Sequence, residues 1–179
     1  MLLDRVVDHW AATRSTDVSL RALATEVGTS HRMLLYHFGS VEGLLLAAVR
    51  EVEHRQRAHL QHLVVLGEAQ HALSLAGLAH ALWEHVASEQ LWPLERLFFG
   101  LYARLLEQGR EDQAAALVAG WLEPVEALLT AHGVPAQRAA AQARLGLAVT
   151  RGLLLDLLAT GDRAGADAAH RIYVTALYP

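Results

Sequence analysis

A compact group of hydrogen-bonding side chains occupies GTSHRMLLYHF, residues 28–38. Among these groups, apolar residues recur at helical spacing after an initial glycine. A guanidinium such as that of Arg32 can bridge the acceptors of guanine or bind a phosphate, and hydroxyl and imidazole groups can donate to phosphate oxygens. The segment therefore fits a helix that binds nucleic acid, or an amphipathic helix that only packs. Its candidate donors are Thr29, Ser30, His31, Arg32, Tyr36 and His37.

Eleven histidines raise the question of metal binding. His59 and His62 lie three residues apart, and His80, Glu84 and His85 fall within about one helical turn. A zinc site needs three or four converging ligands, however, and no H-E-x-x-H motif occurs. The chain also has no cysteine, which excludes thiolate ligands and a cysteine nucleophile. We therefore predict no metal site.

Motifs for common reactions are missing from the sequence. It contains no Gly-rich phosphate loop, no G-x-S-x-G elbow and no paired-carboxylate motif. We predict no catalytic residue, no cofactor and a protein that is not an enzyme. A metal-dependent enzyme is the weakest alternative.

Composition and charge limit the class of protein. The 179 residues are 53% hydrophobic and 19% charged, so they can bury a sizeable core in one large domain or two subdomains. All 15 basic residues are arginine and the net charge is −4, so nucleic-acid binding would require a local patch. No uninterrupted apolar stretch approaches the roughly 18–20 residues that cross a bilayer, and no signal peptide is recognisable. We expect no membrane association and a cytoplasmic location.

Apolar residues recur three and four positions apart along the whole chain, which predicts an all-α protein. The first, third and fourth helices are expected at about residues 2–13, 30–37 and 41–64, and the second follows Ser19 with Leu20, Leu23, Ala24 and Val27 facing inward. Ser19 can cap the second helix, Ser30 or Thr29 can cap the third, and Gly28 supplies the turn between them. Two short helices joined in this way form a helix-turn-helix, whose second helix can enter a major groove.

Residues 18–51, VSLRALATEVGTSHRMLLYHFGSVEGLLLAAVRE, resemble the TetR-like family of one-component transcriptional regulators. The family pattern combines a Ser-Leu-Arg opening, a Gly-Val-Ser turn, an aromatic-rich helix ending in Phe, and a following Ser-Lys-Glu-x-Leu. The matching residues are Ser19, Leu20, Arg21, Ala24, Gly28, Ser30, His37, Phe38, Ser40, Glu42 and Leu44.

This resemblance implies a tetracycline-repressor-like fold, in which an N-terminal three-helix helix-turn-helix DNA-binding domain precedes a larger helical ligand-binding and dimerisation domain. It also adds Arg21 and Ser40 to the expected DNA contacts. We assign residues 1–47 to the first domain and residues 48–179 to the second.

Three departures from the family pattern predict weaker DNA binding without changing the fold. Leu35 takes the position of the usual Tyr, and Tyr36, one step along, is rotated by about 100° around the helix. Val41 stands where the family usually has a phosphate-pairing Lys. The sequence begins almost directly at the first helix, without the basic arm of many relatives.

Beyond residue 65, helices are expected near residues 69–88, 91–108, 111–132, 136–160 and 163–177, with Gly67 among the breaks. Pro124 should kink or split the third of these helices. The resemblance implies a small-molecule site among the middle helices, coupled to the DNA-reading helices through movement of the fourth helix. The candidate lining residues, which could equally be ordinary core, are Leu82, Trp83, Val86, Leu94, Phe98, Phe99, Tyr102, Trp121 and Val125.

The last two helices carry apolar stripes that resemble the dimer surface of the family, a four-helix bundle with two helices from each subunit. The alternative is that these stripes form core within one chain. The predicted interface residues are Leu145, Val149, Gly152, Leu153, Tyr173 and Leu177.

The expected function is that of a homodimeric, ligand-responsive transcriptional regulator that binds a double-stranded DNA operator. By resemblance it is a repressor, released by a small and mainly apolar effector. The alternative is a helical small-molecule-binding protein with weakened or lost DNA binding.

Overall fold

The computed structural model describes residues 1–13, 19–70 and 74–178. Within these ranges it contains nine helices and no strand, which confirms the predicted all-α class. The helices are α1 Leu2–Thr13, α2 Leu20–Glu26, α3 His31–Phe38, α4 Val41–Gln70, α5 Leu75–Val86, α6 Trp92–Glu107, α7 Glu111–Ala131, α8 Ala136–Thr160 and α9 Arg163–Leu177.

Two interruptions expected from the sequence do not break their helices. Gly67 lies inside α4, because an isolated glycine costs a helix only about 1 kcal/mol relative to alanine. Pro124 lies inside α7, so the expected split is wrong. A helical proline costs about 3 kcal/mol or more. The buried Trp121 and Leu129, which lie on either side of Pro124, hold α7 in place against that cost.

The chain divides into two compact units. Unit 1 consists of Met1–Gln56 and Ser88–Arg110, whereas unit 2 consists of Arg57–Ala87 and Glu111–Pro179. Helix α4 therefore contributes residues to both units, and α6 belongs to unit 1. The boundary expected between residues 47 and 48 divides the chain by function, whereas the two units divide it by compactness. The functional boundary stays a prediction.

Unit 1 is built around one apolar cluster. Val6, Val7 and Trp10 lie on one face of α1 at helical spacing, and all three are buried in this cluster. Each large apolar side chain buried in this way contributes about 1.5–3 kcal/mol. The other buried members are Leu23, Ala24, Val27, Leu34, Leu44, Ala48, Val52 and Leu94.

Arg55 fixes α4 to α1 within unit 1. Its guanidinium donates to Asp8 and, at 3.2 Å, to Asp4, both on α1, and at 2.8 Å to Glu51 on its own helix. Partial burial lowers the pKa of Arg55, but the hydrogen bonds that it donates to these three carboxylates outweigh this effect and raise the pKa above its usual value. A cation shared by three carboxylates is a stronger constraint than an isolated surface pair.

Unit 2 is a bundle in which α7 packs on α8, α8 on α9, and α5 on α9. The indole of Trp83 on α5 donates to Asp167 on α9 at 2.7 Å. Arg163 on α9 also binds Asp167, at 2.7 Å, and reaches Glu84 on α5 at 2.6 Å. These side chains form a polar connection between α5 and α9.

Helix α7 is apolar enough to pass a test for a membrane-spanning helix, although acidic residues such as Glu123 and Glu126 interrupt it. Among the described residues, Glu111–Ala131 is long and apolar enough to cross a membrane by length and composition, with a mean hydropathy of 1.3 over its best window. Helix α3 and part of α4 pass the same test only as a pair bent by 70°. The core helix of a soluble protein passes this test too, and α7 buries Ala114, Leu117, Trp121 and Leu129.

Candidate nucleic-acid interface

The turn between α2 and α3 is set by local hydrogen bonds. The Ser19 hydroxyl caps α2 by accepting from the Ala22 amide at 3.2 Å. Gly28 adopts a φ of 69°, a left-handed conformation that favours glycine. The Thr29 amide then donates to the Ala24 carbonyl at 2.8 Å, which closes the end of α2. The expected roles of Ser19 and Gly28 are confirmed.

Helix α3 has one packed face and one solvent face. Its first turn is capped by Ser30, whose hydroxyl accepts from the Met33 amide at 3.2 Å. Leu34 is buried in the unit 1 cluster, with Phe38 packed against it. Tyr36 is 79% exposed, and its ring meets that of His37 edge-on with centroids 5.6 Å apart.

The residues predicted to contact DNA form a largely accessible polar surface around α3. All are exposed except Thr29, which is half-buried. The residues of α3 include Arg32 and no acidic side chain. A surface of this kind can hydrogen-bond to phosphates and base edges without charge repulsion from its own helix. The exposed members are Arg21, Ser30, His31, Arg32, Tyr36, His37 and Ser40.

Gly43 lies at the junction between α3 and α4, and the sequence patterns do not reveal its role. Ser40 caps α4 by accepting from the Gly43 amide at 2.9 Å. A Cβ atom at Gly43 would overlap the backbone carbonyl of Phe38, so the close approach of the two helices requires glycine there. Nearby, Glu42 pairs with Arg110 of the same unit. Helical spacing alone predicts neither the close approach of Gly43 to Phe38 nor the ion pair between Glu42 and Arg110.

The residues predicted to line a ligand pocket fall in both units. In unit 1, Leu94 is part of the apolar cluster, and Phe98 on α6 contacts Phe99 and Tyr102, with centroids 5.3 and 5.8 Å away. The members in unit 2 are Leu82, Trp83, Val86, Trp121 and Val125.

Two of the unit 2 members have partners within the chain. Trp83 stacks on His170 with centroids 4.9 Å apart, and the Arg57 guanidinium lies 5.9 Å from the Trp121 ring centroid. The role of the nine residues as a ligand site stays a prediction.

One face of α8 exposes an unbroken series of apolar or small side chains. Successive members are spaced by four and three residues, which is the pattern of a helix that packs on another helix. Leu155 in this series is 52% exposed, and Ile172 on α9 is 73% exposed. We call the series the α8 stripe; it comprises Ala141, Leu145, Ala148, Gly152, Leu155 and Ala159.

Two of the six predicted interface residues, Leu145 and Gly152, belong to the α8 stripe. The other four are half-buried. Among them, the Tyr173 hydroxyl lies where it would contact a Cβ atom at Gly146, so this side chain packs against α8 of its own chain. The remaining three are Val149, Leu153 and Leu177.

The capped α2–α3 turn, the buried inner face of α3 and its polar outer face define a helix-turn-helix protein with a separate helical bundle. No protein-family model and no curated protein matches the chain. Several known structures do match it over nearly its whole length.

A TetR transcriptional regulator from Legionella pneumophila aligns with a TM-score of 0.73 and 18% identity, over 98% of this chain and 96% of that one. A protein described as a TetR-family transcriptional regulator, from Rhodococcus sp., aligns with a TM-score of 0.67 and 18% identity, over 98% and 94%. The multidrug binding protein EbrR, complexed with imidazole, aligns with a TM-score of 0.58 and 26% identity, over 99% and 88%.

The chain is therefore TetR-like, with the fold of TetR-family transcriptional regulators over nearly all of its length, and the predicted resemblance is confirmed. These neighbours are described as regulators or as a binding protein and none as an enzyme, in agreement with the predicted non-enzymatic class.

Proposed function

We propose that this protein is a homodimeric transcriptional regulator that binds a DNA operator through α3 and responds to a small molecule. The proposal rests on the outer face of α3, where Arg32, Tyr36 and His37 are exposed. On the opposite face of this helix, Leu34 is buried in the core of unit 1. A short helix presented in this way suits insertion into a major groove. The finer assignment is a cytoplasmic repressor that a mainly apolar effector releases from its operator.

The α8 stripe supports the homodimer. Exposed apolar surface of this extent marks an interaction site, and a self-complementary helical face suits a twofold pair. A second copy covering α8 and the exposed Ile172 of α9 would form a four-helix bundle. The dimer would then present its two α3 helices to major grooves about 34–36 Å apart.

Val41 favours a second candidate function, a small-molecule-binding protein with weakened DNA binding. It is exposed at the start of α4, where the family resemblance would place a phosphate-pairing Lys. One neighbour, EbrR, is itself described as a multidrug binding protein. Under this alternative the helix-turn-helix persists as a structural element, and the bundle retains the function.

Selection of bound sequences from random duplex DNA, followed by footprinting, separates the two functions. A regulator enriches a twofold-related motif, whereas the alternative predicts ligand binding without any enriched sequence. Arg32→Ala and His37→Ala should then weaken binding to the selected duplex while leaving helicity and dimerisation intact. Arg104→Ala is the matched control, because Arg104 is an exposed arginine that lies on α6 and not on α3.

A salt series shows which contact each side chain makes. Loss of a base contact costs about 1–3 kcal/mol and changes sequence preference, whereas loss of a phosphate contact weakens binding to all sequences and lowers its salt dependence. If both variants bind like the wild type at every salt concentration, α3 is not the reading helix.

A further inference from the structure

Two exposed apolar side chains lie on α3, the helix proposed to enter the major groove. Met33 is 42% exposed, and Tyr36 is the more exposed of the two. Tyr36 is among the predicted DNA contacts, whereas Met33 is not. Side chains three residues apart on a helix are neighbours on its surface, so Met33 and Tyr36 form one apolar area.

The packed side of α3 determines where its outer face points. Leu34 is buried, and Leu35 and Phe38 are half-buried. At about 100° per residue, Met33 and Tyr36 lie within about 40° of the direction opposite to these three side chains. The centre of the outer face is therefore apolar.

Polar side chains occupy the two flanks of this face. By the same geometry, Arg32 and His37 lie about 70° to either side of its centre. Both are exposed, and the His37 ring meets the Tyr36 ring edge-on. No residue of α3 is acidic. Helix α3 therefore presents an apolar strip between two polar flanks, one of which carries a positive charge.

The major groove limits what each part of this face can contact. The groove is about 12 Å wide and a helix with its side chains measures about 10–12 Å, so the helix fills the groove. The centre of the outer face then meets the base edges on the groove floor, and the flanks meet the phosphates of the walls. Arg32 and His37 suit the walls, because their N–H groups donate to phosphate oxygens.

The apolar centre of the face requires an apolar partner on the base edges. Among the groups that base pairs present in the major groove, the 5-methyl group of thymine is the apolar one, and the others donate or accept hydrogen bonds. Met33 and the ring of Tyr36 would leave those donors and acceptors unpaired if they covered them. Covering a thymine methyl group removes only apolar surface from water, which is favourable.

We propose that Met33 and Tyr36 recognise thymine through its 5-methyl group, and that Arg32 and His37 hold α3 in the groove through phosphates. This inference rests on the proposed DNA-binding function and assigns the base-contacting side chains within it. It makes Met33 a specificity-determining residue, although the sequence motif does not indicate that role.

Deoxyuridine tests the contact within the selected duplex, because uracil differs from thymine only by the missing methyl group. Replacing the thymines one at a time should weaken binding of the wild type about four-fold at the contacted position, the equivalent of one buried methyl group. Replacing the equivalent thymine in both half-sites should weaken binding about fifteen-fold, because distant contacts add. The measurement is a titration of the full chain with each duplex.

Alanine variants show whether these two side chains make the contact. Met33→Ala and Tyr36→Ala should bind the thymine duplex more weakly and discriminate thymine from uracil by about two-fold or less. Met33→Leu should keep the discrimination, because leucine is apolar too. Alanine favours helix, so circular dichroism should stay unchanged. Leu106→Ala is the matched control, since Leu106 on α6 is 46% exposed and should change neither affinity nor discrimination.

Arg32→Ala tests the flanks of the face. This variant should bind every duplex more weakly and with a lower salt dependence, while it still discriminates thymine from uracil. Unchanged salt dependence together with altered sequence preference would place the guanidinium on a base and overturn the assignment of the flanks.

A selected duplex in which no thymine can be replaced by uracil with a loss of affinity would overturn the methyl contact and leave the DNA-binding function intact. Discrimination that persists in both alanine variants would assign the methyl contact to another residue and overturn the inference as well. Failure to select any duplex would remove the proposed DNA-binding function together with this contact.

Discussion

The exposed faces of α3 and α8 have the same helical periodicity and opposite chemistry. Helix α3 exposes Arg32, Tyr36 and His37, whereas the α8 stripe exposes leucine, alanine and glycine. Each helix buries apolar side chains on its other face. Burial therefore explains one face of each helix, and the residue types on the other face are the basis for the partners proposed above, nucleic acid for α3 and a second copy of the chain for α8.

The two helices also differ in the interactions that stabilise them. Helix α3 has 8 residues, too few to be stable alone, and depends on its cap, its turn and its packing. Helix α8 has 25 residues and packs along both α7 and α9. Local substitutions should therefore affect DNA reading through α3, whereas α8 should be sensitive to changes at its exposed stripe.

The largest effect is expected from Leu155→Glu in the α8 stripe. In a dimer, two carboxylates would lose water close to each other, at a cost of several kcal/mol. The variant should sediment as a folded monomer and bind the selected duplex at least about 100-fold more weakly, because a single short helix holds DNA poorly.

Leu106→Glu is the control for this substitution, since Leu106 is an equally accessible leucine on α6, outside the stripe. It should stay dimeric. A Leu155→Glu protein that is dimeric with wild-type duplex affinity would exclude the stripe as the interface.

Gly43→Ala should have the next largest effect, on the α3–α4 junction. The added methyl group would overlap the Phe38 carbonyl, and relieving such a clash costs about 1–3 kcal/mol. Chemical denaturation should show this loss of stability, and duplex affinity should fall because α3 is displaced. Gly100→Ala on α6 is the control, because no atom lies near the new methyl group and helix propensity favours alanine. Equal stability of the two variants would rule out the tight junction.

The pH dependence of stability should report on His170 in unit 2. This ring is 2% exposed, stacks on Trp83, and has a buried Nδ1 without a hydrogen-bond partner among the described residues. Burial and the neighbouring His80 lower its pKa from 6.5 to about 4, against the opposing effect of Asp167 and Glu84. Arg171 also lowers it.

Between these two pKa values the unfolded chain binds the proton and the folded chain does not, so stability is complete above pH 6.5 and falls as the pH drops toward 4. Allowing for solvent screening, we expect a loss of about 1–2 kcal/mol. Denaturation of His170→Phe across this range should show a shallower pH dependence, whereas His62→Gln, at an exposed position, should not. Equal slopes for wild type and His170→Phe would refute this assignment.

The contrast between the two faces also explains how much of the molecule the sequence predicts. Caps and left-handed turns are local, so the sequence predicts the roles of Ser19 and Gly28 and narrows the cap of α3 to Ser30 or Thr29, of which the structure shows Ser30. Apolar spacing shows that a face is buried but not which element covers it, so it leaves Leu94 open between a ligand pocket and ordinary core, and in the structure Leu94 belongs to the apolar cluster of unit 1. Helix propensity alone does not include tertiary packing, so it predicts a break at Gly67 and a kink or split at Pro124, whereas α4 and α7 continue through these residues.

A cavity in unit 2, lined by Leu75, Val134, Arg138 and Gln142 among others, shows the same limit for sites. Its walls come from three segments that are far apart in the sequence, and each segment alone resembles an ordinary helix end or turn. The α2–α3 surface lies within one continuous segment, which is why its residues could be proposed together. A site that spans several segments becomes visible only once the fold brings them into contact.

The smallest effect, about 1 kcal/mol, is expected from removing one helix cap in each unit. Ser30 caps α3 and Ser74 caps α5, each by accepting an amide hydrogen bond at 3.2 Å. Ser30→Ala and Ser74→Ala should therefore cost similar stability in denaturation, but only Ser30→Ala should weaken duplex binding, by about five-fold, because fraying of α3 moves Arg32. Ser30→Asp should restore the cap and the stability, while its negative charge near phosphates lowers duplex affinity further. If Ser30→Ala leaves stability unchanged and lowers only the salt dependence of binding, the hydroxyl acts as a phosphate contact and not as a cap.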